Sequence, residues 1–345
     1  LASDSVNYVG DHVAFVVAET LQQARDAAEL VKVDYKVLKA VVNTGDAMNS
    51  ESIHEGIHKN LSFDWEIGDK LKTDEAFSSA DKIVKMSLTN NRLVPNAMEP
   101  RASIGDYNSS TEELTLYTTS QNPHLSRLVM SAFNAIHPEH KFRIVAPDVG
   151  GGFGSKIYPY AEDVVVAWAA KRLQRPVKWV CERTDSFLSD CHGRDHITHC
   201  ELAIKNDGTV IGLKVDTIAN LGGYASLFST ATPTYLYGPL VLGLYNIATA
   251  YCNVKAVFTN TAPVDAYRGA GRPEATYMIE RLMDKAAKEM GIDRAEFRKK
   301  NFIRQFPHQQ CLVHNIDSGD YEAHFNKALE LSDYSNFEKR KAESA

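Results

Sequence analysis

The run Gly150-Gly151-Gly152-Phe153-Gly154-Ser155-Lys156 leaves an almost bare backbone that ends in a lysine. Glycine reaches positive φ without steric cost and lets a ligand press against the main chain. Consecutive free N–H groups in such a turn form an anion-binding nest. Residues 141–145 before it read as a strand, and residues 160–173 after it read as a helix. A glycine turn between a strand and a helix is a place where an anionic group binds. The nucleotide motifs fail on spacing. A P-loop places the lysine after its second glycine and before a hydroxyl residue, whereas here Ser155 precedes Lys156 and Ile157 follows it. In the dinucleotide fingerprint the third glycine falls on Ser155 counted from Gly150, and on Ile157 counted from Gly152. A tight turn without a ligand stays open at this point.

A second glycine and arginine cluster, Ala266-Tyr267-Arg268-Gly269-Ala270-Gly271-Arg272-Pro273-Glu274, also follows a strand and precedes a helix. Two such turns can converge on one polyanionic ligand. The guanidinium of Arg268 offers a fork of donors suited to phosphate or oxo groups.

The elements that must position these turns read as mixed α and β. A chain of 345 residues suggests about two domains. Hydrophobic content of 44% with 24% charged residues is that of an ordinary globular protein. A net charge of -6 gives no reason to expect nucleic acid or an anionic membrane as partner. The apolar stretch 164–170 is far too short to span a bilayer. No signal-peptide pattern is visible, and five cysteines without a C-x-x-C pair fit free thiols in a reducing compartment, with the cytoplasm as default. Leu1 is no usual start and the last residues are helix-like, so a piece of a longer protein is expected.

Along the chain, residues 12–18 and 31–38 read as strands flanking a helix opened by the Thr20/Gln23 capping box. Residues 43–58 are polar and aperiodic and read as a linker. Residues 114–119 read as a strand, and Asn122 with Pro123 opens a helix to about residue 136. Asn206-Asp207-Gly208 joins residues 200–205 and 209–219 as a hairpin. Residues 253–259 read as a strand, residues 278–290 as a helix stopped by Gly291, and Asp293 with Glu296 caps another. Cys191, His192, His196, His199 and Cys200 suggest a metal, but alternation on a strand puts His196 and His199 on opposite faces. The tyrosines between 224 and 251 read as buried packing rather than a substrate funnel. Asp190, Arg194 and Asp195 read as a solvated polar turn, and Glu99 and Glu274 as structural.

The pair G-G-F-G-x-K and A-Y-R-G-A-G-R-P-E resembles the molybdenum-binding large subunit of the xanthine oxidase family. Residues 92–101 (R-L-V-P-N-A-M-E-P-R) and Thr119-Ser120-Gln121-Asn122-Pro123-His124 resemble two further blocks of that family, in the same order. The likeness covers nearly the whole chain, and its branch is that of the aerobic carbon monoxide dehydrogenase-like large subunits. It implies an α+β fold: the end of an α/β hammerhead domain (1–45), a linker and lead-in (46–90), the first molybdopterin-binding domain (91–300) and the start of a second (301–345). It implies molybdenum-molybdopterin in the cytosine dinucleotide form, with 2Fe-2S clusters and FAD on partner subunits. It places Gly151, Gly152, Phe153, Gly154 and Gly269 at the cofactor. Gln121 and Arg268 stand beside the molybdenum oxygens as cofactor-binding and catalytic residues. Gln121, Phe153 and Arg268 reach the metal through backbone or its oxygens.

The implied reaction is hydroxylation of an aldehyde or N-heteroaromatic with water as the oxygen source. Two departures matter. Gly269 stands where a true carbon monoxide dehydrogenase has its copper-binding cysteine, and Ala270 stands where a xanthine oxidase has a purine-stacking Phe. The family's glutamate base matches no residue here, so the resemblance implies a missing C-terminal half and an inactive isolated chain. The alternative is a non-catalytic homologue that binds molybdopterin or partner subunits without turnover.

Overall fold

The computed structural model describes residues 1, 2 and 4–344. The first helix, α1 (Leu21–Glu29), begins where its capping box places it. The Gln23 N–H donates to Thr20 Oγ1 at 3.3 Å, and the Thr20 N–H donates to Gln23 Oε1 at 3.1 Å. The flanking strands do not form. Residues 12–18 and 31–38 are extended but pair with no strand among the described residues, and Val37 stays 89% exposed. An apolar alternation becomes a strand only where a neighbour supplies the ladder, and none of the described residues does.

The polar segment from residue 43, expected as a linker, turns twice and is tied down by its own side chains. It forms 3₁₀ turns at Thr44–Asn49 and His58–Asn60. The buried Asn60 amide donates to the Ala47 and Glu51 carbonyls, both at 2.9 Å, and its Oδ1 accepts the Ile53 N–H at 2.8 Å. A polar side chain here substitutes for ladder partners, which is why the stretch lacks periodicity and is still packed.

Strands β1 (Leu61–Gly68) and β2 (Lys82–Asn90), with α2 (Lys70–Ser78) between them, come next. A second group follows: β3 (Ala102–Asn108), β4 (Glu113–Thr118), α3 (Pro123–Ala132), β5 (Phe142–Val145), α4 (Ala161–Leu173), β6 (Val177–Val180) and α5 (Arg183–Ser189). The chain then returns through β7 (His196–Ile204), β8 (Val210–Gly222), β9 (Ala250–Phe258), α6 (Arg272–Met290) and α7 (Arg294–Lys300). A short pairing of β10 (His308–Gln309) with β11 (Asn315–Ile316) leads to α8 (Tyr321–Leu331) and α9 (Phe337–Ser344).

Besides the β10–β11 pair, the described residues form two larger sheets, ordered β1-β9-β8-β7-β2 and β5-β4-β3-β6. Residues 46–90, expected as linker and lead-in, supply both edge strands of the larger sheet. The β7–β8 hairpin forms as its Asn-Asp-Gly turn requires, and β9 lies parallel to β8 after a long crossover. The larger sheet packs on α6 through Leu202, Leu213, Val215, Met278, Leu282 and Met283. Tyr237 and Tyr245 fill the same core at 0% and 1% exposure, whereas Tyr224 and Tyr235 stay exposed, so buried packing describes only part of the 224–251 stretch. The smaller sheet buries Leu114 and Leu116 against Met130 of α3 and Val166, Ala167 and Ala170 of α4. Helix α3 stops four residues short of its expected end because Ala135 turns left-handed (φ 51) ahead of Pro138.

The polar cluster at 190–195 is a buried ion network, not a solvated turn. Arg101 Nε donates to Asp190 Oδ1 at 2.6 Å, and its terminal nitrogens reach Glu162 at 3.0 and 3.1 Å. Its guanidinium also lies 3.6 Å from the centre of the Tyr160 ring. Asp195 accepts from Arg92 Nε at 2.9 Å and from the Thr44 hydroxyl at 2.8 Å. Arg194 binds Glu274 at 3.1 Å. Asp190 and Arg101 are 89 positions apart, so nothing local announces the burial.

His12 Nε2 joins this network 3.1 Å from Glu162 Oε1. Burial alone would raise the Glu162 carboxyl, but Arg101 and His12 outweigh it and hold the group well below the usual range. The hydrogen bond to Glu162 in turn raises the His12 imidazole above its ordinary value, against burial. Replacing Arg101 with Met leaves two buried carboxylates without their partner and should cost about 3–5 kcal/mol in chemical denaturation. The His12 contact, a raised histidine, contributes fully below the imidazole's ordinary value and fades as pH rises through its raised value. Thermal unfolding of wild type and His12→Gln should therefore differ most at the acid end of a scan from about pH 5 to pH 9 and converge at the alkaline end.

Candidate cofactor site between two glycine turns

Each glycine turn leaves the end of a strand and enters a helix, the first between β5 and α4, the second between β9 and α6. Gln121 follows β4, which is parallel to β5, and so comes out beside the first turn. It is fixed there because Asn122 caps α3, its Oδ1 accepting the Leu125 N–H at 3.3 Å.

Gln121 holds the first turn from within. Its Oε1 accepts the Gly154 N–H at 2.9 Å and the Lys156 N–H at 3.3 Å, and its own N–H donates to the Lys156 carbonyl at 2.7 Å. A Cβ on Gly152 would overlap the Gln121 side chain, so only glycine admits this approach. The two turns meet at Gly154 (φ 110), where a Cβ would overlap the Ala266 carbonyl oxygen. Next to it the Arg268 N–H donates to the Phe153 carbonyl at 2.8 Å. Phe153 sits at φ 54, a conformation that costs an ordinary L-residue of order 1–3 kcal/mol and persists where neighbours over-determine it. The residue is 45% exposed, and its ring centre lies 5.7 Å from the Arg268 guanidinium.

Gly151 (φ 94) and Gly269 (φ 100) also occupy backbone regions closed to other residues, and Ala270 is pulled to φ 42 beside them. Gln121, the Gly151-to-Gly154 loop and Arg268 are thus brought together, with Gly269 next to Arg268 on the second turn.

The groups left over are donors. Among the described residues the N–H groups of Gly152 and Phe153 have no acceptor, nor does Nε2 of Gln121, and no carboxylate engages the Arg268 guanidinium. Two adjacent free N–H groups, a side-chain amide and a guanidinium suit an anionic, oxygen-rich ligand that lies against bare backbone. No cluster of three or more His, Cys, Asp or Glu side chains able to hold a bare metal ion occurs among the described residues. The donor set therefore fits a molybdenum-bearing pterin that brings its own metal ligands.

Two supports of the second turn carry no sequence signal for that role, Arg194, which reads as part of a solvated turn, and Asp265. Arg194, 7% exposed, donates to the carbonyls of Tyr267 at 2.9 Å and Arg268 at 2.8 Å while paired with Glu274. Asp265 accepts the N–H groups of Ala266 and Phe228. Burial, as the largest influence, pushes its carboxyl up. Arg194 is 73 positions from Tyr267, and no sequence signal marks the contact. Of the histidines, His196 is buried and His199 exposed, on opposite faces as alternation requires. Glu274 is the buried partner of Arg194, and Glu99 pairs with Lys156. Replacing Gly154 with Ala should drive the two turns apart and cost about 2–4 kcal/mol in thermal or chemical unfolding, combining backbone strain with overpacking.

Comparison with known proteins agrees with this geometry. Residues 53–302 match the molybdopterin cofactor-binding domain, and residues 1–39 match the a/b hammerhead domain of aldehyde oxidase and xanthine dehydrogenase. The carbon monoxide dehydrogenase large chain of Hydrogenophaga pseudoflava is 38% identical over 353 residues, covering 97% of this chain and 44% of its own length. The reconstituted CO dehydrogenase from Oligotropha carboxidovorans superposes with a TM-score of 0.94 at 34% identity, over 100% of this chain and 45% of that one. Quinoline 2-oxidoreductase from Pseudomonas putida 86 superposes with a TM-score of 0.93 at 30% identity, over 100% of this chain and 44% of that one. The chain thus spans less than half the length of these relatives. Among the described residues no helix is long and apolar enough to cross a membrane. With a molybdopterin-binding domain over most of its length behind hammerhead sequence, this chain belongs to the molybdenum-binding large subunits of the xanthine oxidase family.

Proposed function

We propose that this chain is the cofactor-holding part of a cytoplasmic molybdenum hydroxylase that hydroxylates an aldehyde or N-heteroaromatic substrate, with water as the oxygen source. The carrying observation is the joint between the two turns. Beside the Arg268 N–H to Phe153 carbonyl bond, 2.8 Å long, the Gly152 and Phe153 N–H groups have no acceptor among the described residues, and the Arg268 guanidinium, over the Phe153 ring, has no carboxylate partner there. In this reading Gly151, Gly152, Phe153 and Gly154 hold the pterin with their backbone, and Arg268 and Gly269 flank its anionic oxygens. Gln121 orients an oxygen on the metal through Nε2 while its Oε1 stays committed to Gly154. The exposed Phe153 ring, beside the Arg268 guanidinium, stands at the edge of the site.

The bound group, molybdopterin in its cytosine dinucleotide form, supplies the two-electron oxidation and passes the electrons to 2Fe-2S clusters and FAD on partner subunits. The protein's part is to bind, orient and polarise. A general base must stand within hydrogen-bond reach of the proton it removes. Glu99 and Glu274 are committed to Lys156 and Arg194, so neither takes that role. We assign the base to the remaining half of the subunit, which the relatives' greater length supports. The isolated chain is accordingly inactive.

Substrate class follows from the second turn. Copper(I) needs a thiolate or thioether, and Gly269 offers neither, so carbon monoxide is not the substrate. Ala270 cannot stack on a purine. The 30% identity to a quinoline 2-oxidoreductase supports an N-heteroaromatic.

The test is co-expression with the C-terminal half and the iron–sulfur and FAD partners. Purified complex should carry about one molybdenum per chain and turn over an aldehyde or N-heteroaromatic, with no carbon monoxide oxidation after copper loading. Well-folded complex with molybdenum far below that ratio would favour a non-catalytic homologue, and carbon monoxide oxidation would refute the copper argument. Gln121→Ala, which removes the acceptor of the Gly154 and Lys156 N–H groups, should lose roughly 10–100-fold in kcat together with part of its molybdenum, as expected for a residue that orients the metal's own ligands.

A further inference from the structure

One side chain outside the assigned set touches both ends of the first glycine turn. The Glu99 N–H donates to the Gly150 carbonyl at 3.2 Å, and Glu99 Oε2 accepts the Gly150 N–H at 2.8 Å. At the far end of the turn, Lys156 Nζ donates to the Glu99 carbonyl at 2.8 Å and to Glu99 Oε2 at 3.0 Å. The same carboxylate oxygen therefore takes a backbone N–H from the first residue of the turn and an ammonium from the last. The Lys156 side chain is 1% exposed and that of Glu99 37%. A buried ammonium is tolerated where a carboxylate and a carbonyl meet it, and here a single residue supplies both. A Cβ on Gly150 would overlap that of Glu99, so the backbone runs directly across this residue.

Gln121 bonds the interior of the same turn at Gly154 and Lys156, and Arg268 bonds it at the Phe153 carbonyl. With both ends closed and the interior bonded, the N–H groups of Gly152 and Phe153 are the ones in the turn left without an acceptor among the described residues. We infer that Glu99 is a positioning residue: with Lys156 it forms a clasp across the turn that holds these two N–H groups in place for the anionic part of the cofactor. This rests on the reading of the turn as the molybdopterin cradle. The long stem of Lys156 suits the task, because the ammonium must cross the turn to reach a residue 57 positions earlier.

The assembled enzyme with Glu99→Ala, Glu99→Gln and Lys156→Met tests the clasp. Hydrogen–deuterium exchange of the Gly154 and Lys156 amides is one readout, and molybdenum retained per folded chain after gel filtration is the other. Glu99→Ala and Lys156→Met should speed exchange at those amides and lower molybdenum retention, each by roughly tenfold or more, as for other residues that orient a metal site's ligands. Glu99→Gln keeps a neutral acceptor for both the Gly150 N–H and the lysine, and should restore most of both readouts. Exchange and retention unchanged in Glu99→Ala or Lys156→Met would overturn the clasp. So would a Glu99→Gln variant as damaged as Glu99→Ala, or faster exchange with full retention. Should Glu99→Ala fail to fold, Lys156→Met, which keeps the Glu99 backbone bond to Gly150, carries the same comparison. A parent enzyme without molybdenum would sink the cofactor reading, and exchange, which needs no cofactor, would still decide whether the clasp shapes the turn.

Discussion

Where Gly154 passes the Ala266 carbonyl and the Arg268 N–H meets the Phe153 carbonyl, backbone touches backbone with no side chain between. The first turn belongs to the smaller sheet and the second to the larger, so this contact joins two separately packed cores. A contact of that kind cannot be adjusted by choosing another rotamer. Its distance is set by where β5 and β9 end and by the absence of a Cβ at Gly154. The free N–H groups, the left-handed Phe153 and the placement of Arg268 all follow from that joint.

Charge carries much of the load behind the joint. Arg194 is spent on the carbonyls of Tyr267 and Arg268, and it also pairs with the buried Glu274 and lies over the Tyr267 ring. Arg101 is spent on Glu162 and Asp190 and stacks on Tyr160, whose hydroxyl donates to the Ser155 carbonyl at 2.7 Å. Both arginines thus brace the glycine turns from behind, one on each side. Buried ion pairs of this kind add little net stability compared with apolar packing, although removing one partner is costly. Here these contacts join the two loops to residues far away in sequence.

Much of the fold was legible locally. The Thr20/Gln23 box, the Asn122-Pro123 start, the Asn-Asp-Gly hairpin and the Gly291 stop all act through neighbours within four residues, and each stands where the sequence places it. The extended runs on either side of α1 were over-read, because a strand is a relation between two segments and the sequence displays only one. The converse holds at 43–58, a stretch that Asn60 ties down, and at 190–195. Those stretches look like solvated linker and turn, yet Asn60, Asp190 and Arg194 are buried among partners that sequence distance conceals.

By itself the sequence determined the two glycine turns, their strand-to-helix setting and the residue types able to face an anion, since bare backbone and fixed charge are properties of the residues. It also determined the family, through ordered blocks that occur together along the chain. Only the tertiary structure decided that Gln121 spends its oxygen on Gly154, that Arg268 contacts Phe153 through its backbone, and that Glu99 spans the turn. Those outcomes depend on how two sheets dock and where their strand ends fall. Hydrogen bonds act over about 3 Å, and the partners here are brought to that range only by folding.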